Sequence, residues 1–339
     1  MPVRMKDIAR DLGISVVTVS KALRNRPDIS AETRALVLRR SEELNYRPNL
    51  SARSLVTGRT NMMGLVIPDL AHEFFSELAR GMSGVLRRAS FTLLISSSEQ
   101  HPELERQVID QLIDRRVDAL LIASTQFTPQ TFQQVAKEGI PYILLDRRFE
   151  GFASHFVGVN DEHLGYIATQ HLIEIGCRRI AHISAAKLSP VIGRFEGYKR
   201  ALAEHGLALG PEYVATSGRV DETGEGAGYD AANELLRLAP LPDAIFCYND
   251  PVAMGAMQAI LDAGLRIPAD IALLGCGNIH FDDYLRVPLS SMDQQSAASG
   301  VCAARLAIDL VNSGRAVRPK TILLEPKLIP RDSTRRTPA

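Results

Sequence analysis

The sequence predicts an α/β protein: an N-terminal, all-helical head followed by a two-lobed body of doubly wound parallel sheets. Three observations carry that reading. Residues 1–60 hold twelve basic and six acidic side chains, a net of +6, and the rest of the 339-residue chain carries −6, so a zero total conceals two differently charged parts. Within the head, short apolar-periodic runs are separated by Gly13 and by serines placed to cap helices. From residue 61 onward, apolar runs of four to six residues alternate with amphipathic runs of twelve to sixteen, the pattern of parallel sheets covered by helices.

In the head, Lys6 to Leu12 reads as a helix with Ile8, Ala9 and Leu12 on one side. Gly13 breaks it, and Ser15 is placed to N-cap a second helix running to Leu23. Ala9 is small where two helices touch, Gly13 tolerates the positive φ of a tight turn, and Val19 is a core residue of the second helix. This is a helix-turn-helix, whose second helix enters the major groove of DNA. Val19 and Leu23 are spaced to face the core, which leaves Val16, Val17, Thr18, Ser20 and Lys21 pointing outward. Adjacent exposed valines suit thymine methyls, Lys21 reaches guanine or phosphate, and Thr18 or Ser20 contacts phosphate. Lys6, Ser15 and Arg24 complete the DNA-contacting candidates of the head. A third helix, Ala31 to Leu44, is capped by Ser30, and Pro48 closes the segment. Leu50 to Leu55 is helix-compatible but too short to hold alone, so it orders only on a partner. Leu55 beside Arg53 has the chemistry of a minor-groove wedge; on these residues alone a plain linker is the other reading.

In the body, strand-like runs are Met62 to Ile67, Thr92 to Ser96, Ala119 to Ile122, Tyr142 to Leu145, Ile180 to Ser184, Ala244 to Cys247 and Ile271 to Leu274. Helical runs between them include Phe74 to Ala89, Glu103 to Arg115, Asp161 to Ile175, Arg194 to His205 and Val252 to Ala263. Small polar residues follow the strand ends, where doubly wound sheets bind ligands: Asp69, Ser96 to Ser98, Ser124, Thr125, Asp146, Asn249 and Asp250. The repeated pattern implies two similar lobes with a cleft between them.

Several classes are set aside. No apolar run approaches the roughly 18 residues of a membrane span. Acidic residues stand where a signal peptide would place its apolar stretch, so the expected location is the cytoplasm. Cys177, Cys247, Cys276 and Cys302 are widely spaced, which fits reduced thiols better than disulfides or a metal site. No Gly-x-Ser-x-Gly, His-Glu-x-x-His or Walker loop occurs, so no catalytic residue, cofactor or metal is expected.

Many ordered motifs together resemble the lactose/galactose repressor family of bacterial transcription regulators. They include Lys6-Asp7-Ile8-Ala9, Thr18-Val19-Ser20-Lys21, Asn45-Tyr46-Arg47-Pro48-Asn49, Ala52-Arg53-Ser54-Leu55, Gly64-Leu65-Val66-Ile67-Pro68-Asp69, Leu145-Asp146-Arg147, Arg194-Phe195-Glu196-Gly197-Tyr198, Asn249-Asp250 and Pro330-Arg331-Asp332-Ser333-Thr334. The resemblance implies a helix-turn-helix domain over residues 1–48 and a hinge helix, Leu50 to Leu55, with its linker over 49–60. In that hinge, Leu55 enters the minor groove of a double-stranded, pseudo-palindromic operator bound by a homodimer, and Asn49, Ala52 and Arg53 are further DNA-contacting candidates. It also implies a periplasmic-binding-protein-like body over 61–333, with a first lobe at 61–160 and 292–319, a second at 161–291 and 320–333, and three chain crossings. A small-molecule effector, a sugar, sugar acid or related metabolite, would lie in the cleft. The ligand-facing candidates are Asp69, Phe74, Phe75, Ser124, Thr125 and Asp146 from the first lobe, Arg194, Asn249, Asp250 and Asn278 from the second, and Gln294 at a crossing.

Arg194 leads this set as a cation opening a helix at the cleft, suited to a hydroxyl pair, carboxylate or phosphate. The chain departs from the family's pattern at Gly275-Cys276-Gly277-Asn278, where glycine holds an acidic effector-contacting position, leaving Asn278 or Asp282 as replacements. The stretch from Ser217 to Gly226 also lacks an aromatic that often packs on ligand. A second reading follows from these departures: a vestigial cleft, with control by a protein partner. The residues from Arg331 to Ala339 show no heptad repeat, so a dimer without a tetramer-forming tail is expected.

Overall fold

The computed structural model describes residues 3–46, 58–185, 188–207, 210–216, 224–314 and 317–336. The chain divides into two units at Thr60.

In the first unit, α1 (Met5–Asp11), α2 (Val16–Leu23) and α3 (Ala31–Glu43) surround a core of Ile8, Ala9, Val19, Ala22 and Val37. Ser15 and Ser30 cap α2 and α3 by accepting from the backbone N–H groups of Thr18 and Thr33 at 3.0 and 3.1 Å. Gly13 turns the chain between α1 and α2 at φ +63°, where a side chain would be strained. Arg40 of α3 pairs with Asp11 at 2.5 Å, joining the third helix to the end of the first.

The second unit contains two six-stranded sheets. Its elements are β1 (Met62–Ile67), α4 (Glu73–Arg88), β2 (Thr92–Ser97), α5 (Pro102–Asp114), β3 (Ala119–Ile122), α6 (Gln130–Lys137), β4 (Tyr142–Leu145) and β5 (His155–Val159), then α7 (Asp161–Glu174), β6 (Ile180–Ser184), α8 (Ser189–Glu204), β7 (Val214–Thr216), α9 (Gly224–Leu235), β8 (Ala244–Cys247), α10 (Asp250–Asp262), β9 (Ala272–Cys276), β10 (Ser290–Asp293), α11 (Ser296–Ser313), β11 (Thr321–Leu324) and β12 (Lys327–Ile329). The first sheet runs β11-β5-β4-β3-β1-β2 and is wholly parallel. The second runs β12-β10-β9-β8-β6-β7 and is parallel except for β12, which pairs antiparallel with β10. Each sheet is covered on both faces, which is why its central strands read as unbroken apolar runs. Helices α4 and α11 lie on one face of the first sheet and α5 and α6 on the other; α7 and α8, then α9 and α10, do the same for the second.

The strand order corrects the expected lobe boundaries. Thr321–Leu324 pairs with Phe156–Val159 and so belongs to the first lobe, whereas the family resemblance implies the second for 320–333. Met292 and Asp293 pair with Leu328 and Lys327 and belong to the second lobe. The crossings therefore fall at 160–161, 294–295 and 325–326. Helix α8 also starts five residues before Arg194, at Ser189 with Pro190 in its first turn, where the missing N–H of proline costs nothing. Arg194 is thus inside a helix and not at its opening.

The helices of each covering pair approach closely because glycines stand at their contacts. A Cβ on Gly165 of α7 would strike the carbonyl of Arg194, and one on Gly197 of α8 would strike the carbonyl of Glu162. The same device recurs with Gly81 and Gly300 between α4 and α11, and with Gly228 and Gly255 between α9 and α10. The α7–α8 contact matters most for the cleft, since it fixes the height of Arg194.

Candidate functional site

The head presents its candidate residues on a rigid surface. Val16 and Val17, in the first turn of α2, are 43% and 63% exposed, while Val19 beneath them is fully buried. Leaving two valines in water on an otherwise packed helix is unfavourable unless a partner covers them. Ser15 and Thr18 bond each other at the helix start, their hydroxyl oxygens 2.8 Å apart. Ser20 and Arg24 are linked side chain to side chain along α2. Lys21 pairs with Asp28 at 2.5 Å, and Lys6 is exposed. A solvent-exposed pair such as Lys21–Asp28 is screened and readily exchanged for a phosphate. Asn49, Ala52, Arg53 and Leu55 lie outside the described residues.

In the body, Arg194 is 4% exposed and is the hub of the cleft floor. Its Nε donates to Asp161 Oδ1 at 3.0 Å, Nη1 to the Tyr248 carbonyl at 2.6 Å and Nη2 to Gln294 Oε1 at 2.6 Å. One side chain thereby joins the start of α7, the end of β8 and a crossing between lobes. Burial pushes the Asp161 carboxyl up to about 6, against the pull of Arg194. Burial opposes the Arg194 charge, yet Cys276, Asp161 and Asp146 hold its guanidinium above the ordinary value.

On the first-lobe side, Asp146 leaves β4 at φ +58°, a left-handed conformation that a non-glycine residue adopts only where its surroundings enforce it. Its carboxylate lies 3.8 Å from Arg147 Nε, and Arg147 Nη1 donates to the Ser124 carbonyl at 2.9 Å. Burial pulls the Arg147 guanidinium down, while Asp146 and Glu105 oppose it. Asp69 accepts from the Ala71 backbone at 2.8 Å. His72 caps α4 by accepting from Phe74 N–H at 3.3 Å, and burial holds its ring below the usual histidine range.

Four expected ligand contacts are taken up by internal partners. The Ser124 hydroxyl donates to Glu105 Oε1 at 2.7 Å and that of Thr125 to Glu105 Oε2 at 2.8 Å, because Glu105 is fully buried and needs both donors. Phe75 packs into the α4–α11 core, edge-on to Phe74 at 5.1 Å. Phe74 itself reaches a cavity of about 470 Å³ together with Gly277 and Asn278. Asn249 caps α10 by accepting from Val252 N–H at 2.9 Å.

The departure at Gly277 has a physical explanation. Asp250 is fully buried, accepting from Ser291 Oγ at 2.7 Å and Ile279 N–H at 3.3 Å. Gly277 sits at φ +150° with Asp250 Oδ2 2.5 Å from where a Cβ would be, so a side chain has neither the backbone conformation nor the space. Asp282 is also fully buried, and neither of its oxygens has a hydrogen-bond partner among the described residues; Arg331 stands 3.8 Å away. Burial, and after it the Asp250 carboxylate, push the Asp282 carboxyl up to about 9, so it keeps its proton. Asn278, at φ +51°, accepts from Arg331 Nη2 at 2.8 Å. Asp282 is therefore buried out of a ligand's reach, and Asn278 is tied to Arg331.

The lobes also meet at two backbone donors: Arg148 N–H reaches Ser189 Oγ at 2.9 Å, and His280 N–H reaches Glu73 Oε1 at 2.7 Å. A larger cavity, about 760 Å³, opens between residues 126–129 and 147–156 of the first lobe and 188–193 of the second. Sequence reasoning missed Asp161, Arg147 and this second opening. Arg147 was legible in the Leu145-Asp146-Arg147 motif, but nothing local marks Asp161 as the partner of a residue thirty-three positions later.

Comparison with known proteins bears on both units. Residues 4–49 match the family described as bacterial regulatory proteins, lacI family, and residues 169–334 match the periplasmic binding protein-like domain. The chain is 33% identical over 330 residues to the HTH-type transcriptional regulator GalR of Escherichia coli (strain K12), covering 97% of this chain and 95% of that protein. It is 30% identical over 334 residues to the HTH-type transcriptional repressor PurR of Actinobacillus pleuropneumoniae serotype 3 (strain JL03), covering 98% of each. The solved lac repressor dimer bound to operator and the anti-inducer ONPF matches with a TM-score of 0.88 over 98% of this chain and 99% of that one, at 24% identity, a likeness of fold. Because the likeness runs through head and body together, the chain belongs to the LacI family of bacterial DNA-binding transcriptional regulators, not to a class of enzymes.

Proposed function

We propose that this regulator is a ligand-controlled repressor that binds a pseudo-palindromic operator as a homodimer. The observation that carries the DNA half is the pair of valines held exposed on a capped, packed α2 beside Lys21. Each head reads a half-site through that helix, and residues 49–60 serve as the hinge, with Leu55 entering the minor groove. Control is supported by Arg194, which ties the second lobe to the 294–295 crossing: a ligand that alters this tie favours one arrangement of the lobes over another. Its effect on DNA equals its differential affinity for the two states.

A gel-shift titration tests the reading. Leu55→Ala weakens specific operator binding by about tenfold or more while the body stays folded and dimeric. Unchanged affinity sinks the hinge assignment. Wild-type affinity also falls steeply between low and physiological salt, because phosphate contacts release counterions.

A further inference from the structure

We propose that the controlling ligand is a small, flat aromatic carboxylate seated in the larger interlobe cavity. This rests on the reading of the protein as ligand-controlled and names the ligand's chemistry.

Three observations lead there. First, the polar groups expected to greet a ligand are already committed: Arg194 to Asp161, Tyr248 and Gln294, and the Ser124 and Thr125 hydroxyls to Glu105. A cavity of about 760 Å³ lies beside these groups, in the range of small-molecule sites and larger than the one of about 470 Å³ at Phe74 and Asn278.

Second, each of its walls carries exposed apolar side chains, and the two walls come from different lobes. Phe127 of the first lobe is 66% exposed and Ile192 of the second 48%. Phe149 and Phe152 extend the first wall and are held by the buried Phe132, at ring distances of 5.4 and 6.4 Å. That wall is aromatic and set before any ligand arrives. A planar ring slid between it and Ile192 removes apolar surface of both lobes from water at once.

Third, the charge is right for an anion. Arg147 and Arg148 line the cavity against one carboxylate, Glu150. The Arg148 guanidinium lies over the Phe156 ring, 5.6 Å from its centroid, and makes no ion pair among the described residues. A planar cation fixed by a ring is suited to a bidentate carboxylate. The backbone of the same Arg148 reaches Ser189 across the cleft, so a ligand gripped here acts on a hydrogen bond between lobes. The lining offers a sugar one carboxylate, Glu150, and one amide, Gln126, which already donates to the Pro102 carbonyl.

Isothermal titration of the full chain with 4-hydroxybenzoate and cinnamate, alongside the uncharged 4-hydroxybenzamide and glucose 6-phosphate, tests this. Arg148→Gln and Ile192→Asp change exposed side chains and leave the fold intact. The expected result is that the carboxylates bind, the amide binds more weakly, Arg148→Gln loses about tenfold to a hundredfold in affinity, and Ile192→Asp abolishes binding. No binding of either carboxylate at millimolar concentration overturns the proposal, as does binding that both variants leave unchanged. If glucose 6-phosphate alone binds and alters operator affinity, the aromatic assignment fails and ligand control stands. If a carboxylate binds through these residues without altering operator affinity, the site stands and ligand control fails.

Discussion

Replacing Arg194 with methionine isolates what the cleft's central side chain holds together. Methionine fills most of the volume, so cavity formation contributes little and the loss is mainly polar. The substitution abandons Asp161, the Tyr248 carbonyl and Gln294, all bonded at 3.0 Å or less by a side chain only 4% exposed. Removing one partner of a buried ion pair costs about 3–5 kcal/mol, because the other charge stays behind unsolvated. For a body of this size each kcal/mol is worth roughly 2–4 °C, so the melting temperature should fall by about 6–20 °C. A second signature separates this from generic damage. The Asp161 carboxyl stands at about 6 with the guanidinium beside it, and it rises further without it. A carboxyl raised in the folded state contributes stability that is present below its unfolded value and lost as pH rises through the folded one. The variant's deficit is therefore smaller near about pH 5 than near about pH 8, and Asp161→Asn added to Arg194→Met removes that difference. Circular-dichroism melts across that range measure it. A deficit below about 1 kcal/mol, or one equal at both pH values, refutes the view that Arg194 compensates a buried charge.

Two further outcomes follow from contacts elsewhere in the body. Gly197→Ala gains roughly 0.8–1 kcal/mol of helix propensity but drives a methyl into the backbone of α7 at Glu162 and Tyr166, which has no flexible end to yield. Overpacking costs about 1–3 kcal/mol, so the net effect on chemical denaturation is destabilising; a more stable variant contradicts the close α7–α8 contact. Asp282, raised from 3.8 to about 9 by burial and by Asp250, contributes stability that is complete at the acid end of that window and is lost as pH rises through it. The wild-type melting temperature should decline across that window and Asp282→Asn should flatten the decline; equal slopes refute a protonated Asp282.

The sequence alone was informative wherever a local rule governs. Ser15, Gly13 and Val19 mark cap, turn and core within ten residues, and the structure places them in those roles. The strands Met62–Ile67, Ala119–Ile122, Tyr142–Leu145, Ile180–Ser184 and Ala244–Cys247 are legible as apolar runs because both faces of each sheet are covered. Strand β11, with every second residue exposed, and the three-residue β7 and β12 carry no such signal. The start of α8 was missed because its cap position, Leu188, has no side-chain hydrogen bond, and Pro190 was the remaining sign.

What the sequence determined by itself is the division of a neutral chain into a basic head and an acidic body, the helix-turn-helix, and the doubly wound pattern. Each follows from composition or from periodicity over a few turns. Only the tertiary structure decided that Thr321–Leu324 belongs to the first lobe, that Ser124 and Thr125 serve Glu105, that Asp250 occupies the space at Gly277, and that a cavity of about 760 Å³ lies beside Phe127 and Ile192. The physical reason is distance along the chain. Whether a buried polar group is satisfied depends on what packs against it, and Arg194 finds Gln294 a hundred positions away.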